Sequence, residues 1–242
     1  MRVEELTQYG KTLSSLPKEA LKKQESIVLR EIRNNFGLIG ILPFFIRLFL
    51  EQGRLKRRYP EAYQTTLNLG ETAAKGRSAA KEITMVISMF NIIARKEGRE
   101  NAYEFVKDIF QKVAVYSMPA LYQIDDLLKC EGDPFDNFVR FTVAWFNAMN
   151  EEGTWKVEDM TEEKDKLSFT VTECTNCTLG EAYDCPEIAK LGCDHDLAGY
   201  PVILEKVDAE FRRPHTIAKG DEYCDFAFYR KGTAPDTEHL NK

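Results

Sequence analysis

Leu167-Ser-Phe169-Thr-Val171-Thr-Glu-Cys174 is the stretch whose reading decides the fold. Apolar and polar residues alternate along it, which puts Leu167, Phe169 and Val171 on one side of a half-buried strand. Upstream, Trp155 and Val157 alternate in the same way, and a charged turn, Glu162-Glu-Lys-Asp165, lies between the two runs. Together they predict a hairpin. Before Gly153 the period is different. Ser78 to Lys96 carries Ala79, Ala80, Ile83, Val86, Ile87, Phe90 and Ile93 at helical spacing, and Gly98 marks its end. Asn101, with Glu104 three residues on, predicts a capping box for the next helix, whose stripe is Ala102, Phe105, Val106, Ile109 and Val113. Asp133-Pro134 starts a further helix bearing Phe138, Phe141, Trp145, Phe146 and Met149.

Near the start, residues 1 to 13 are polar and expected to be frayed. Ser15-Leu-Pro17 predicts a helix to about Arg33 that buries Leu21, Val28 and Ile32. Gly37 and Gly40 interrupt it, and a second helix runs from Pro43 to Tyr59, ending in the cations Arg54, Lys56, Arg57 and Arg58. Downstream of the hairpin, Asp184-Cys-Pro186-Glu187 opens a short helix through Leu191 that delivers Cys193, His195 and Asp196 near its end. Val207 to Ala218 alternates again, and Tyr223 to Arg230 reads as the last strand. The expected class is α+β: a helical N-terminal half, then a small antiparallel sheet with a short helical insert. The expected division is a helical region over 1–152, a sheet with a cysteine-rich helical insert over 153–230, and a loose tail over 231–242.

Composition narrows the function classes. The 242 residues carry a formal net charge of -6, with 43% hydrophobic and 30% charged residues. An acidic chain is a poor general nucleic-acid binder, because displacing counterions from phosphates needs a basic surface. Met-Arg-Val-Glu-Glu-Leu-Thr-Gln lacks the apolar core of a signal peptide. Six cysteines without such a signal predict reduced thiols and a cytoplasmic location. The most apolar run, Phe36 to Leu50, contains Gly37, Gly40, Pro43 and Arg47. It falls short of the roughly 20 residues of a membrane-spanning helix, so it reads as buried or as an interaction surface. The expected partner is a small molecule, with no nucleic acid and no membrane span, and a homo-oligomer is compatible with the sequence.

Four of the six cysteines fall between Cys174 and Cys193, and His195 follows closely. Three uses of these residues compete. Cys174, Cys177, Cys185, Cys193 and His195 supply enough soft ligands for tetrahedral zinc. A thiol at a helix start, as at Cys185, or near a histidine is activated as a nucleophile. A free cysteine also packs well as a small apolar residue. Strand parity places Cys174 on the Ser/Thr side of its strand unless a bulge intervenes, and Cys224 on the side of Phe226 and Phe228.

The ordered motifs Val171-Thr-Glu-Cys174, Pro186-Glu187-Ile188-Ala189, Cys193-Asp-His-Asp196, Arg213-Pro-His-Thr216 with Gly220, and Cys224-Asp225-Phe226-Ala-Phe228 resemble those of the L-2-amino-thiazoline-4-carboxylic acid hydrolases. Ala79-Ala80 and Gly98 in the helical half are similar too, and the resemblance covers roughly residues 70 to 230. Cys177 and Cys185 are extra relative to that pattern, and His195 and His215 fall in its gaps. The resemblance implies hydrolytic opening of a cyclic amidine, acting on carbon-nitrogen bonds of a 2-aminothiazoline-4-carboxylate-like compound to give a carbamoyl-cysteine, without a cofactor. That chemistry needs a nucleophile, a proton donor and a cation for the substrate carboxylate. Cys174, Cys193 and Cys224 are the thiol candidates. Asp196 is the acid/base candidate with His195 second, and Arg213 and Asp225 are the substrate-binding candidates. The alternative is a non-enzymatic small-molecule or zinc-binding module built on the same cysteines. For the hydrolase, the three thiols should converge in one pocket between the sheet and the helices, with Asp196 close by.

Overall fold

A computed structural model of the chain describes residues 1–7, 16–69 and 73–236. Among these, the first half is helical: α1 Val3–Thr7, α2 Lys18–Arg58, α3 Pro60–Leu67, α4 Ala73–Glu97, α5 Arg99–Leu121, α6 Ile124–Leu127 and α7 Pro134–Glu151. The sheet follows, with β1 Trp155–Glu163 and β2 Lys166–Cys174 forming the hairpin. Then come α8 Thr175–Ala182 and α9 Glu187–Leu204, and finally β3 Ala209–Arg212 and β4 Cys224–Arg230. The strands order as β1-β2-β4-β3 and every neighbouring pair is antiparallel. The class is therefore α+β, with every described strand after residue 153. Ser15 and the tail beyond Asp236 lie outside the described residues.

Two apolar cores form, and α9 joins them. In the first, Leu167, Phe169 and Val171 of β2 and Cys224, Phe226 and Phe228 of β4 pack beneath Phe138, Phe141, Trp145 and Phe146 of α7. Phe169 stacks on Phe226 with ring centroids 5.1 Å apart. This is the alternation of the two strands meeting the aromatic stripe of a helix whose N-terminus is capped, with the Asp133 carboxylate accepting from the Asp136 N–H at 3.1 Å. The second core gathers Phe44, Leu48 and Leu55 of α2, Ile87, Phe90 and Ile93 of α4, and Val106 and Ile109 of α5. Ile188 and Leu191, early in α9, belong to the second core, whereas Tyr200 and Ile203, late in α9, belong to the first. Residues 193–196 thus sit where the two cores meet.

Several sequence expectations are corrected here. The insert between β2 and β3 is not short. α9 runs to Leu204, so Cys193, His195 and Asp196 lie in its middle. Gly199 lets it continue: a Cβ there would collide with Met118 of α5, so the absent side chain permits close helix packing. The strand expected over 207–218 shrinks to Ala209–Arg212. The interruption expected at Gly37 is present as a kink, where φ is +67°, a region glycine enters without steric cost, but the helical backbone resumes directly after it rather than at Pro43. Leu21 is 43% exposed, and Ile27 rather than Leu21 is buried beside Ile32. Asn101 lies inside α5 and donates to the Glu97 carbonyl, while Gly98 occupies the cap position. The N-terminus contributes more than its sequence suggests, since Val3 and Leu6 of α1 enter the first core.

Candidate active site

The site begins with an irregularity in the hairpin. Lys156 pairs with Glu173 but Val157 pairs with Val171, so Thr172 is an extra residue in β2. A bulge of one residue reverses the parity of everything beyond it. Cys174, expected on the Ser/Thr side, is therefore turned back and packs against the first core. It is at the same time the N-cap residue of α8. Cys174 is held toward the thiolate, with its pKa lowered to about 7. The neighbouring Cys177 thiol is the largest cause. Burial opposes the shift, and the backbone N–H groups of Cys177 and Asn176 in the first turn of α8 add to it. Cys177 moves the opposite way, kept protonated by its contact with Cys174 and by burial. One charge shared by two adjacent thiols is the physical content of that opposition.

Two more thiols meet at a single hydroxyl. Thr216 is fully buried, and its Oγ1 lies 3.3 Å from Cys193 Sγ and 3.4 Å from Cys224 Sγ. The Ile217 N–H donates to Cys224 Sγ at 3.3 Å. Burial raises both thiols, Cys193 to about 11, although Arg213 and Thr216 work against it in each case. Cys193, in a helix middle, and Cys224, at a strand start, are thus brought together at Thr216, while Cys174, at a strand end with Cys177 beside it, packs against the same core that holds Cys224.

Arg213 closes this cluster from below. It is 1% exposed, neither on the surface nor within β3. Its Nη1 donates to Asp196 Oδ2 at 2.8 Å and its Nη2 to the Cys193 carbonyl at 3.2 Å. The guanidinium lies over Phe211 and Phe226. Asp196 therefore points at Arg213 from the same turn of α9 that carries Cys193. Behind them, the Tyr122 and Tyr200 hydroxyls lie 3.3 Å apart. Burial, foremost, and the Asp196 charge among the lesser causes raise both phenols, so both stay neutral.

The remaining candidates sit differently. His195 Nε2 is 2.9 Å from Ser117 Oγ, and its Nδ1 is 4.0 Å from Asp196, so it borders the ion pair rather than the thiols. Asp225 is on the opposite side of β4 from Cys224. It accepts from the His215 N–H at 2.6 Å and meets the His215 ring at 2.9 Å, and it lines a cleft of about 530 Å³ on the outer side of the sheet. That cleft and one of about 490 Å³ beside α2 and α4 include none of the clustered thiols. Cys185 is buried in the second core, where burial and Glu187 push it to about 12. The five residues weighed as zinc ligands therefore do not gather, and no group of three or more His, Cys, Asp or Glu suited to a metal ion occurs among the described residues.

Thr216 and Asp194 stand inside motifs quoted above without a role, and Tyr200 stands in none of them. Asp194 accepts from the Tyr103 hydroxyl and ties α9 to α5. The signal for Thr216 was present: a threonine three residues after the arginine, in a segment with little other apolar character.

A family model described as L-2-amino-thiazoline-4-carboxylic acid hydrolase matches residues 78–228. The match runs from α4 to β4 and takes in every residue of the thiol cluster and its ion pair. No curated protein and no solved structure matches.

Proposed function

We propose that this chain, which belongs to the L-2-amino-thiazoline-4-carboxylic acid hydrolase family, opens a 2-aminothiazoline-4-carboxylate-like ring with Cys174 as the nucleophile. The observation that carries the proposal is Cys174 at the start of α8, packed against the core that holds Cys224 and held toward the thiolate beside Cys177, with Cys193 and Cys224 meeting at Thr216 next to the buried Arg213–Asp196 pair. A helix start and a second thiol are a recognised way to activate cysteine.

The chemistry runs as follows. The Cys174 thiolate adds to the amidine carbon, and the tetrahedral adduct collapses by breaking a bond from that carbon to a ring heteroatom. The departing heteroatom takes a proton from solvent in the site. Water then adds to the same carbon and the enzyme thiolate leaves, so the net change is gain of one water and formation of a carbamoyl-cysteine. Arg213 supplies positive potential for the substrate carboxylate and Asp196 orients it. A clamp in direct contact with the substrate would require Asp196 to yield Nη1. Cys193, Cys224 and Thr216 form the wall. The test is incubation of the purified protein with 2-aminothiazoline-4-carboxylate, with and without chelator, following the hydrated product by mass spectrometry. Chelator-insensitive turnover is expected. Absence of turnover, or turnover lost to chelator, overturns the proposal.

A further inference from the structure

The side of α2 that faces away from the core is apolar along its second half. Leu38, Ile39, Leu42, Ile46, Phe49 and Leu50 are all exposed, Leu38 at 77%, Ile39 at 93% and Phe49 at 75%. Their spacing sets them along one stripe of the helix, about 18 Å long at the usual rise per residue. Scattered exposed hydrophobics are ordinary, whereas six contiguous ones mark a contact surface. The other side of the same helix is docked: Phe44, Leu48 and Leu55 enter the second core. Between them, buried Glu51 accepts from both Arg95 nitrogens at 2.9 and 3.0 Å.

Charge indicates what covers the open side. From Leu38 to Arg58 the cations are Arg47, Arg54, Lys56, Arg57 and Arg58, and the single acid is Glu51, in a chain whose net charge is -6. Arg57 continues the stripe that runs through Ile39, Ile46 and Leu50, and Arg54 and Lys56 flank it. The cleft of about 490 Å³ on the docked side of this end of α2 is lined by Arg54, Arg58, Arg95 and Arg99 together with Glu51 and Asp184. An apolar stripe ending in a cluster of arginines is the pattern of a helix lying in a lipid interface, with its cations among phosphates.

We propose that α2 docks this chain flat on a bilayer surface containing anionic lipid. The stripe enters the boundary between headgroups and acyl chains, and Lys56 and Arg57, which continue it, meet the headgroups. By length and composition alone α2 could cross a membrane. Crossing would strip Phe44, Leu48 and Leu55 from the core and bring the Glu51–Arg95 pair into hydrocarbon, so the helix lies in the plane. A second copy of the chain fits less well. Packed antiparallel it would bring Arg54–Arg58 toward Arg30 and Arg33, and packed parallel it would set the cluster against its duplicate. The docking surface uses no residue of the thiol cluster and stands independently of the hydrolase reading.

The test is flotation of the full chain with vesicles of phosphatidylcholine alone and of phosphatidylcholine mixed with phosphatidylserine. The wild type should float with the mixed vesicles, and added salt should weaken the binding. Ile39→Ser with Phe49→Ser should abolish flotation. Lys56→Gln with Arg57→Gln should weaken it about tenfold or more, the loss expected for two surface cations. Both variants should keep the wild-type circular dichroism, since the altered side chains are exposed. Three results would overturn the proposal: no flotation of the wild type, flotation unchanged in the serine variant, or a wild-type dimer that the serine variant dissociates and that does not bind vesicles.

Discussion

Arg213→Met should cost the fold about 3–5 kcal/mol, the penalty for removing one partner of a buried ion pair. Arg213 is 1% exposed and donates to Asp196 at 2.8 Å and to the Cys193 carbonyl at 3.2 Å. Methionine keeps most of the apolar stem but leaves the Asp196 carboxylate without its counter-ion. The guanidinium contacts over Phe211 and Phe226, at 5.6 and 5.3 Å, disappear as well, each worth about 0.5–1 kcal/mol or more when desolvated and already contained in that range. For a chain of this size about 1 kcal/mol moves Tm by roughly 2–4 °C, so the variant should melt about 6–20 °C lower. The assay is urea and thermal unfolding followed by circular dichroism. Arg213→Met combined with Asp196→Leu removes both charges and should be more stable than Arg213→Met alone, with a coupling of about 0.5–3 kcal/mol. A loss below about 1 kcal/mol, or a double variant equal to the sum of the singles, would refute the reading of the pair as buried and mutually dependent.

Further outcomes follow from the same geometry. The alkylation rate of Cys174 should inflect near pH 7, against the ordinary thiol value of 9.0, and Cys177→Ala should move that inflection upward, as peptide mapping after iodoacetamide treatment would read. Thr216→Val removes the hydroxyl that meets two thiols and should cost about 0.5–1.5 kcal/mol in urea melts while lowering turnover. Gly199→Ala forces a Cβ into Met118 and should destabilise by about 1–3 kcal/mol, visible as a lower Tm. Cys185, raised from 9.0 to about 12, resists ionising in the folded state, so its contribution is whole below pH 9 and is lost as pH rises toward 12. The stability of the wild type relative to Cys185→Ala should therefore shrink as pH rises from about 9 toward about 12.

The hairpin and the helices around it were legible because their periods differ. Leu167, Phe169 and Val171 repeat every two residues, whereas Phe138, Phe141 and Trp145 repeat at helical spacing, and both patterns are local. What the sequence hid was decided by packing between segments. α9 reads as short when its apolar run is followed only through Leu191, yet it continues to Leu204 past Gly199, where α5 presses against it. The bulge at Thr172 leaves no mark in an alternating run, and it alone turns Cys174 toward the core. Arg213 reads equally as a surface residue, because a single strand cannot reveal that Asp196, from a helix earlier in the chain, will lie 2.8 Å away. The open side of α2 was legible as an apolar run that is either buried or an interaction surface, and hydropathy does not say which, because it does not tell which side of a helix finds a core.

The central claim is that Cys174 attacks the ring, and turnover of 2-aminothiazoline-4-carboxylate by Cys174→Ser tests it most directly. Serine keeps the shape at the start of α8 and has no thiolate to offer. The account predicts a folded protein, by circular dichroism, whose turnover falls roughly a thousandfold or more while Cys130→Ser stays at the wild-type rate. A Cys174→Ser variant that is folded and turns over at the wild-type rate would contradict it.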